Sequence, residues 1–311
     1  MWSPTAKCRR PSTCCLAEIA CTRRIVEKET TGVIFEVREF CVHDGPGVRT
    51  TVFLKGCPLR CAWCQNPEGQ SFEPQLLVAT KDCIHCGACL KKCPQGGKNC
   101  TACGACTHVC PQGCRRLCGT QMTAAELAIR LMKDADFLSQ SGGGVTFSGG
   151  EPLAQADFVH EVIKRIHPLH VAIETSGYAP HDVYRRIIAD VDLVYQDVKL
   201  ADPEAHRKWT GADNDLILKN LAWLKASGKP FVARIPLIPT VTDTTDNFTA
   251  IAELLKGSVN LLEVQLLPYN FAAGAKYALV GREYKPPFNE KTPVNADLTA
   301  FKQASLPCRV M

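Results

Sequence analysis

Two stretches of this chain, "CIHCGACLKKCP" at 83–94 and "CTACGACTHVCP" at 100–111, repeat one spacing, C-x2-C-x2-C-x3-C-P. A third cysteine group precedes them: "KGCPLRCAWCQNPEG" at 55–69 sets Cys57, Cys61 and Cys64 at C-x3-C-x2-C. The chain has 19 cysteines in 311 residues, which would suit a disulfide-stapled secreted protein if the chain were short and its cysteines spread through loops. Neither holds here. The N-terminus, "MWSPTAKCRRPSTCCLAEIACTRR", also lacks the sustained apolar stretch of a secretory signal. Thiols this close together on one loop suit metal, and a reducing, cytoplasmic location is expected from that.

The rest of the chain reads as strand then helix. Continuous apolar runs bounded by Gly, Pro or Asp fall at 50–56, 143–150, 170–177, 192–200, 230–239 and 261–269. Such runs mark parallel strands buried on both faces. Amphipathic stretches at 123–140, 154–167, 214–228 and 245–257 read as helices, the first opening on the capping-box pair Thr123 and Glu126. The composition, 46% hydrophobic and 22% charged, supports a full core. The expected fold class is α/β: a partial (β/α)6 TIM-like barrel. The later strands recur as βα units should, but the first two stand about 90 residues apart. The doubled cysteine run fills that gap, so the expected domains are a barrel over 31–79 and 119–311 and an insert over 80–118. Residues 1–30 read as an N-terminal extension, disordered or ahead of the true start.

The doubled spacing is that of bacterial two-cluster ferredoxins, where each run gives three ligands to one [4Fe–4S] cluster and its fourth to the other. On that rule Cys83, Cys86, Cys89 and Cys110 hold one cluster, and Cys93, Cys100, Cys103 and Cys106 hold the second. Gly87 and Gly104 permit the tight wrap. A pair of zinc knuckles is the alternative, though it does not require the doubled pattern. Cys114 and Cys118 are surplus to either. Cys57, Cys61 and Cys64 differ, since three thiolates on a four-iron cube leave one iron open. They follow the first strand directly, at the end of a βα barrel where active sites are built. An open coordination position is what separates a reactive metal site from a structural one.

These residues resemble the radical S-adenosylmethionine (radical SAM) superfamily: C-x3-C-x2-C with Trp63 before the last cysteine. "HDGPGVRTTVFLKGCPLRCAWCQNPE" at 43–68, the ferredoxin-like insert and "FSGGEPL" at 147–153 narrow the resemblance to the glycyl-radical enzyme activating enzymes, over about residues 32–285. It implies that S-adenosylmethionine is the missing ligand of Cys57, Cys61 and Cys64. One-electron cleavage of its sulfonium would then give a 5′-deoxyadenosyl radical that takes hydrogen from a glycine of a partner lyase, decarboxylase or dehydratase.

The resemblance also implies a cofactor-binding set. Backbone polar groups of Gly149, Gly150 and Glu151 would bind the methionine amino group at a strand end. Glu174 and Thr175 would lie by the SAM carboxylate, with Glu174 beside a monovalent cation. Asp197 and Lys199, two residues apart on one strand face, would meet the ribose and carboxylate, and Arg234 would lie near SAM and the target glycine loop. Asn270, where many relatives have His, would lie by the ribose, and Asp44 would order the first loop or touch the target. Three [4Fe–4S] clusters follow, one of them SAM-binding and two auxiliary, with flavodoxin or ferredoxin as electron donor.

Other classes remain to be weighed. A formal charge of +5 and the lack of a long basic run give no case for a nucleic-acid partner. No run of about 18 apolar residues indicates a membrane span. Monomer is the default expectation. A radical SAM enzyme acting on a small molecule or tRNA is the nearest competitor. A ferredoxin-type electron carrier would leave the chemistry on successive strand ends unexplained.

Overall fold

The structure is a computed structural model and describes residues 29–311. The expected N-terminal extension, 1–30, lies outside the described residues except for its last two. The strands are β1 (Thr31–Cys41), β2 (Arg49–Leu54), β3 (Gln75–Val78), β4 (Arg115–Cys118), β5 (Thr120–Thr123), β6 (Gly144–Gly149), β7 (His170–Thr175), β8 (Leu193–Asp197), β9 (Phe231–Leu237), β10 (Leu261–Pro268) and β11 (Cys308–Val310). Nine of them form one sheet in the order β11-β10-β9-β8-β7-β6-β2-β1-β5. The six strands expected from the sequence are its six consecutive parallel members, β2 and β6 to β10. They read as apolar runs because helices cover one face and their own inward side chains fill the other.

Three strands of this sheet were not expected. β1 pairs antiparallel with β2, β5 pairs antiparallel with β1, and the short β11 runs parallel to β10. β1 buries alternate residues, Gly32 and Ile34, at its start and is half-buried or exposed after that. Its charged residues, Glu36, Arg38 and Glu39, hide it from a search for apolar runs.

The helix expected at 123–140 is two helices, Ala124–Met132 and Ala135–Gln140, broken at Lys133 and Asp134. Its start is as expected. Thr123 Oγ1 accepts from the Glu126 amide at 3.1 Å, and the Glu126 carboxylate accepts from the Thr123 amide at 2.8 Å. Helices Ala156–Ile166, Asp215–Ala226 and Thr245–Leu255 stand where periodicity placed them. The first buries Phe158, Val159, Val162, Ile163 and Ile166, a stripe along one face. Each such side chain contributes roughly 1.5–3 kcal/mol on burial. Helices His181–Asp190 and Pro203–Thr210 were not expected; both are short and charged.

Between β2 and β6 the chain leaves the sheet. β3 and β4 form a separate antiparallel ribbon, with Val78 opposite Arg115 and Gln75 opposite Cys118. β3 lies before the expected boundary at 80 yet pairs with β4 behind it, so the excursion is tied off from Gln75 onward. Its two halves repeat their backbone. His85 and Ala102 both have positive φ, as do Gly87 and Gly104 two residues later. The His85 amide donates to Cys83 Sγ, and the Ala102 amide donates to Cys100 Sγ, both at 3.4 Å.

Candidate active site

A cavity of about 270 Å³ lies across the C-terminal ends of the parallel strands. Each of the six parallel strands contributes to its wall: Cys57, Cys61 and Cys64 after β2, Gly149 and Gly150 at β6, Glu174 and Thr175 at β7, Asp197 at the end of β8 with Lys199 just after it, Arg234 on β9, and Tyr269 after β10. The first and last strands of a row of six share one cavity only if the sheet curls, as right-handed twist drives it to do.

The cysteine loop is tethered by backbone. The Arg60 amide donates to the Thr210 carbonyl at 2.6 Å, and the Ala62 amide to the Trp209 carbonyl at 3.0 Å. The loop therefore rests on the end of helix Pro203–Thr210. On its other side the Gly56 amide donates to the Gly69 carbonyl at 2.8 Å. Trp63 is 4% exposed and packs against Leu200, Ile238, Val241 and Tyr269. Burial pushes the Cys57, Cys61 and Cys64 thiols up, Cys61 to about 12. A metal that takes them as thiolates must therefore displace protons on binding.

Lys199 Nζ donates to Asp197 Oδ2 at 2.6 Å on the cavity wall. Burial works against the ammonium, and the Asp197 carboxylate and Cys61 more than offset it, so its pKa lies above the usual lysine value. The site thus keeps a fixed positive charge beside the three thiols. Arg234 and Glu174 form a second pair. Arg234 Nη1 donates to Glu174 Oε1, its Nε donates to Gln265 Oε1 at 3.1 Å, and its guanidinium stacks 3.8 Å from the Tyr195 ring centroid. Ser148 Oγ donates to Glu174 Oε2 at 2.6 Å. Burial raises the Glu174 pKa, and Arg234 pulls it back only in part. With both oxygens engaged and a guanidinium alongside, Glu174 is Arg234's partner; a cation there would face like charge.

The side chains of three expected residues, Glu151, Asn270 and Asp44, do not line this cavity. Glu151 is 1% exposed and turns toward β7. It accepts from Thr175 Oγ1 at 2.6 Å, from the Ser176 amide at 2.9 Å and from the Leu153 amide at 3.2 Å. It holds the β7 end in place and does not reach the cavity itself. Asn270 is exposed, and its Oδ1 accepts from the Ala272 amide at 2.9 Å. The preceding Tyr269 occupies the wall instead. The Gly149–Gly150 corner packs against the cysteine loop: a Cβ on Gly150 would lie 2.4 Å from the Gly56 carbonyl oxygen. Asp44 sits outside the cavity, accepting from Thr51 Oγ1 at 2.6 Å.

Sequence reasoning missed two wall residues, Ser148 and Ser176, and a buried lysine behind the wall. Ser148 and Ser176 flank named motif residues and carry the hydroxyls that complete their hydrogen bonds. Lys55, fully buried, donates to the Glu68 carbonyl at 2.6 Å and anchors the strand end below Cys57. A lysine inside an apolar strand was the available signal.

In the excursion, one small cavity is lined by Cys93, Cys100, Cys103 and Cys106 together with Cys89. A second is lined by Cys83, Cys86, Cys89 and Cys110 together with Cys114. Every cysteine of the described residues is free. No three His, Cys, Asp or Glu among them converge tightly enough for one metal ion; a cubane asks less, because each thiolate meets a different iron.

The curled parallel sheet and the three-thiol loop define a radical SAM protein, and the model of the Radical SAM superfamily matches residues 51–255. The chain is 37% identical over 281 residues to the 4-hydroxyphenylacetate decarboxylase activating enzyme of Clostridioides difficile (strain CD196), covering 83% of this chain and 88% of that one. It is 40% identical over 276 residues to the choline trimethylamine-lyase activating enzyme of Oleidesulfovibrio alaskensis, covering 82% and 89%. Within the superfamily it belongs to the activating enzymes of glycyl-radical enzymes. A radical SAM methyltransferase from Sphaerobacter thermophilus shares the fold alone, with 15% identity, a TM-score of 0.51 and coverage of 89% of this chain and 76% of that one. Among the described residues no helix is long and apolar enough to cross a membrane.

Proposed function

We propose that this activase holds three [4Fe–4S] clusters, one in the strand-end cavity and two in the 75–118 excursion, and that the latter two feed electrons to the first. The partner is a glycyl-radical enzyme of the lyase, decarboxylase or dehydratase type, as the relatives' names suggest. The observation that carries the reading is the single cavity bearing Cys57, Cys61 and Cys64 beside the Lys199–Asp197 pair. When bound there, a cluster and S-adenosylmethionine supply one-electron cleavage of the sulfonium and hydrogen abstraction from glycine.

The chain's own residues do the rest. Three thiols leave one iron for the cofactor. The Lys199 ammonium, held by Asp197, offers the carboxylate of S-adenosylmethionine a charged partner in a buried setting, where such a contact is strong. Gly149 and Gly150 keep the facing wall free of side chains. Leu59, Trp63, Ile238 and Leu267 line the remainder and keep water out.

The excursion suits the relay. Its two cavities each carry one of the two crossed cysteine quartets. β4 spans about 10 Å from Arg115, on both cavity walls, to Cys118. Cys118 Sγ lies 4.0 Å from the Glu68 carbonyl in the catalytic loop. An external flavodoxin or ferredoxin in a reducing cytoplasm would supply the electron to a monomeric activase, and no nucleic acid takes part. Cys86→Ala and Cys103→Ala are expected to cut turnover driven by reduced flavodoxin at least about tenfold while dithionite-driven S-adenosylmethionine cleavage persists. Equal turnover with flavodoxin in folded variants would exclude the relay.

The overall reading is tested by EPR on protein reconstituted anaerobically with iron and sulfide, reduced, and mixed with S-adenosylmethionine and a glycyl-radical domain. An organic doublet matched by 5′-deoxyadenosine is the expected result. No cleavage in protein with every cluster loaded would refute it.

A further inference from the structure

The two excursion cavities share two residues, Cys89 and Arg115. Arg115 sits at the start of β4, opposite Val78 of β3, so the ribbon fixes its backbone between them. Arg115 shares one cavity wall with Cys83, Cys89 and Cys110 of the first quartet and the other with Cys103 and Cys106 of the second. No carboxylate and no other lysine or arginine lines either cavity. Among the described residues no Asp or Glu forms a salt bridge with Arg115. An arginine is always charged. A half-buried one on walls that hold thiols and no carboxylate is placed for the anion that those thiols would become.

We propose that Arg115 is the shared counter-charge of the two auxiliary cluster sites, raising the reduction potentials of both together. The inference rests on the reading of the excursion as two iron–sulfur sites. The physical reason is direct. A four-iron cluster on four thiolates carries net negative charge, and reduction adds one more. Two such clusters side by side repel each other, and each reduction makes the other harder. A cation between them stabilises the reduced form of each, and hydrogen bonds to ligand sulfurs act in the same direction. Arg115 contacts no substrate, so it is a positioning and tuning residue.

The test is an EPR-monitored redox titration in a Cys57→Ala/Cys61→Ala/Cys64→Ala background, so that only the auxiliary clusters contribute. Iron and sulfide analysis comes first. A parent protein that loads fewer than two four-iron clusters overturns the reading of the excursion, and this inference with it. In loaded protein, Arg115→Gln is expected to shift both midpoint potentials to more negative values. Arg115→Lys should retain most of the parent values. Arg116→Gln, which removes the neighbouring charge from the exposed face of β4, should leave both unchanged. Unshifted potentials in Arg115→Gln, a shift of one cluster only, or an equal shift in Arg116→Gln would each overturn the proposal. Should Arg115→Gln fail to load clusters, loading by Arg115→Lys sustains the need for charge, and failure of both shows a merely structural residue.

Discussion

Cys61→Ala lowers 5′-deoxyadenosine formation by at least about a thousandfold, equivalent to roughly 4 kcal/mol in the activation barrier. Cys61 lies fully inside the cavity with Cys57 and Cys64, and two thiolates cannot hold a cube that must also bind a cofactor. Iron content should fall by one four-iron cluster, because the excursion's quartets are separate. The thermal midpoint of the metal-free protein should hardly move, since the loop is anchored by backbone hydrogen bonds to helix Pro203–Thr210 and not by the thiol. A variant that kept a tenth of the wild-type rate would show that this cavity is not where the chemistry occurs.

Arg234→Met is expected to destabilise the protein by about 3 kcal/mol, the lower end of the range for breaking a buried ion pair. It removes the contacts to Glu174 and Gln265 and the stack on Tyr195. Glu174 is left buried without its cation, which lifts a pKa already raised by burial further above the ordinary 4.5. A carboxyl whose folded pKa exceeds its unfolded one binds more protons when folded, so stability is lost as pH rises through that interval. The deficit of Arg234→Met should therefore be smaller near pH 5 than near pH 8. Adding Glu174→Gln should recover most of it. Denaturant melts at the two pH values, run as a double-mutant cycle, would decide. A deficit independent of pH and of residue 174 would mean that lost packing alone accounts for it.

The candidate cysteine ligands could be read directly because spacing along a loop is a local property. C-x3-C-x2-C and the doubled C-x2-C-x2-C-x3-C-P specify which thiols can face one object whatever surrounds them. The six parallel strands were legible for a related reason. Burial on both faces leaves an apolar run that needs no partner to be recognised. β1, β5 and the helix Pro203–Thr210 were not. Their residues are polar on one side, and their place is set by the neighbour they pair with or support.

The site divides along the same line. Lys199 and Asp197 were expected as a pair on one strand face; β8 ends at Asp197, and Lys199 bonds to it from the segment that follows. Arg234 was visible as a charge in an apolar strand, and Glu174 as a carboxylate at a strand end. That they are partners, 60 residues apart on strands that are not neighbours, depended on the curl of the sheet. Glu151 and Asn270 show the limit. Both stand at strand ends, but the Glu151 carboxylate turns to the β7 loop and the Asn270 amide to the turn that follows, which no local spacing specifies. The sequence alone determined which residues carry thiol and charge and on which strand ends they stand, because those follow from spacing and pleat. Only the tertiary structure decided which way each side chain points and which charge neutralises which. Those choices minimise the cost of buried polar groups, and that cost is set by contacts between strands far apart in the chain.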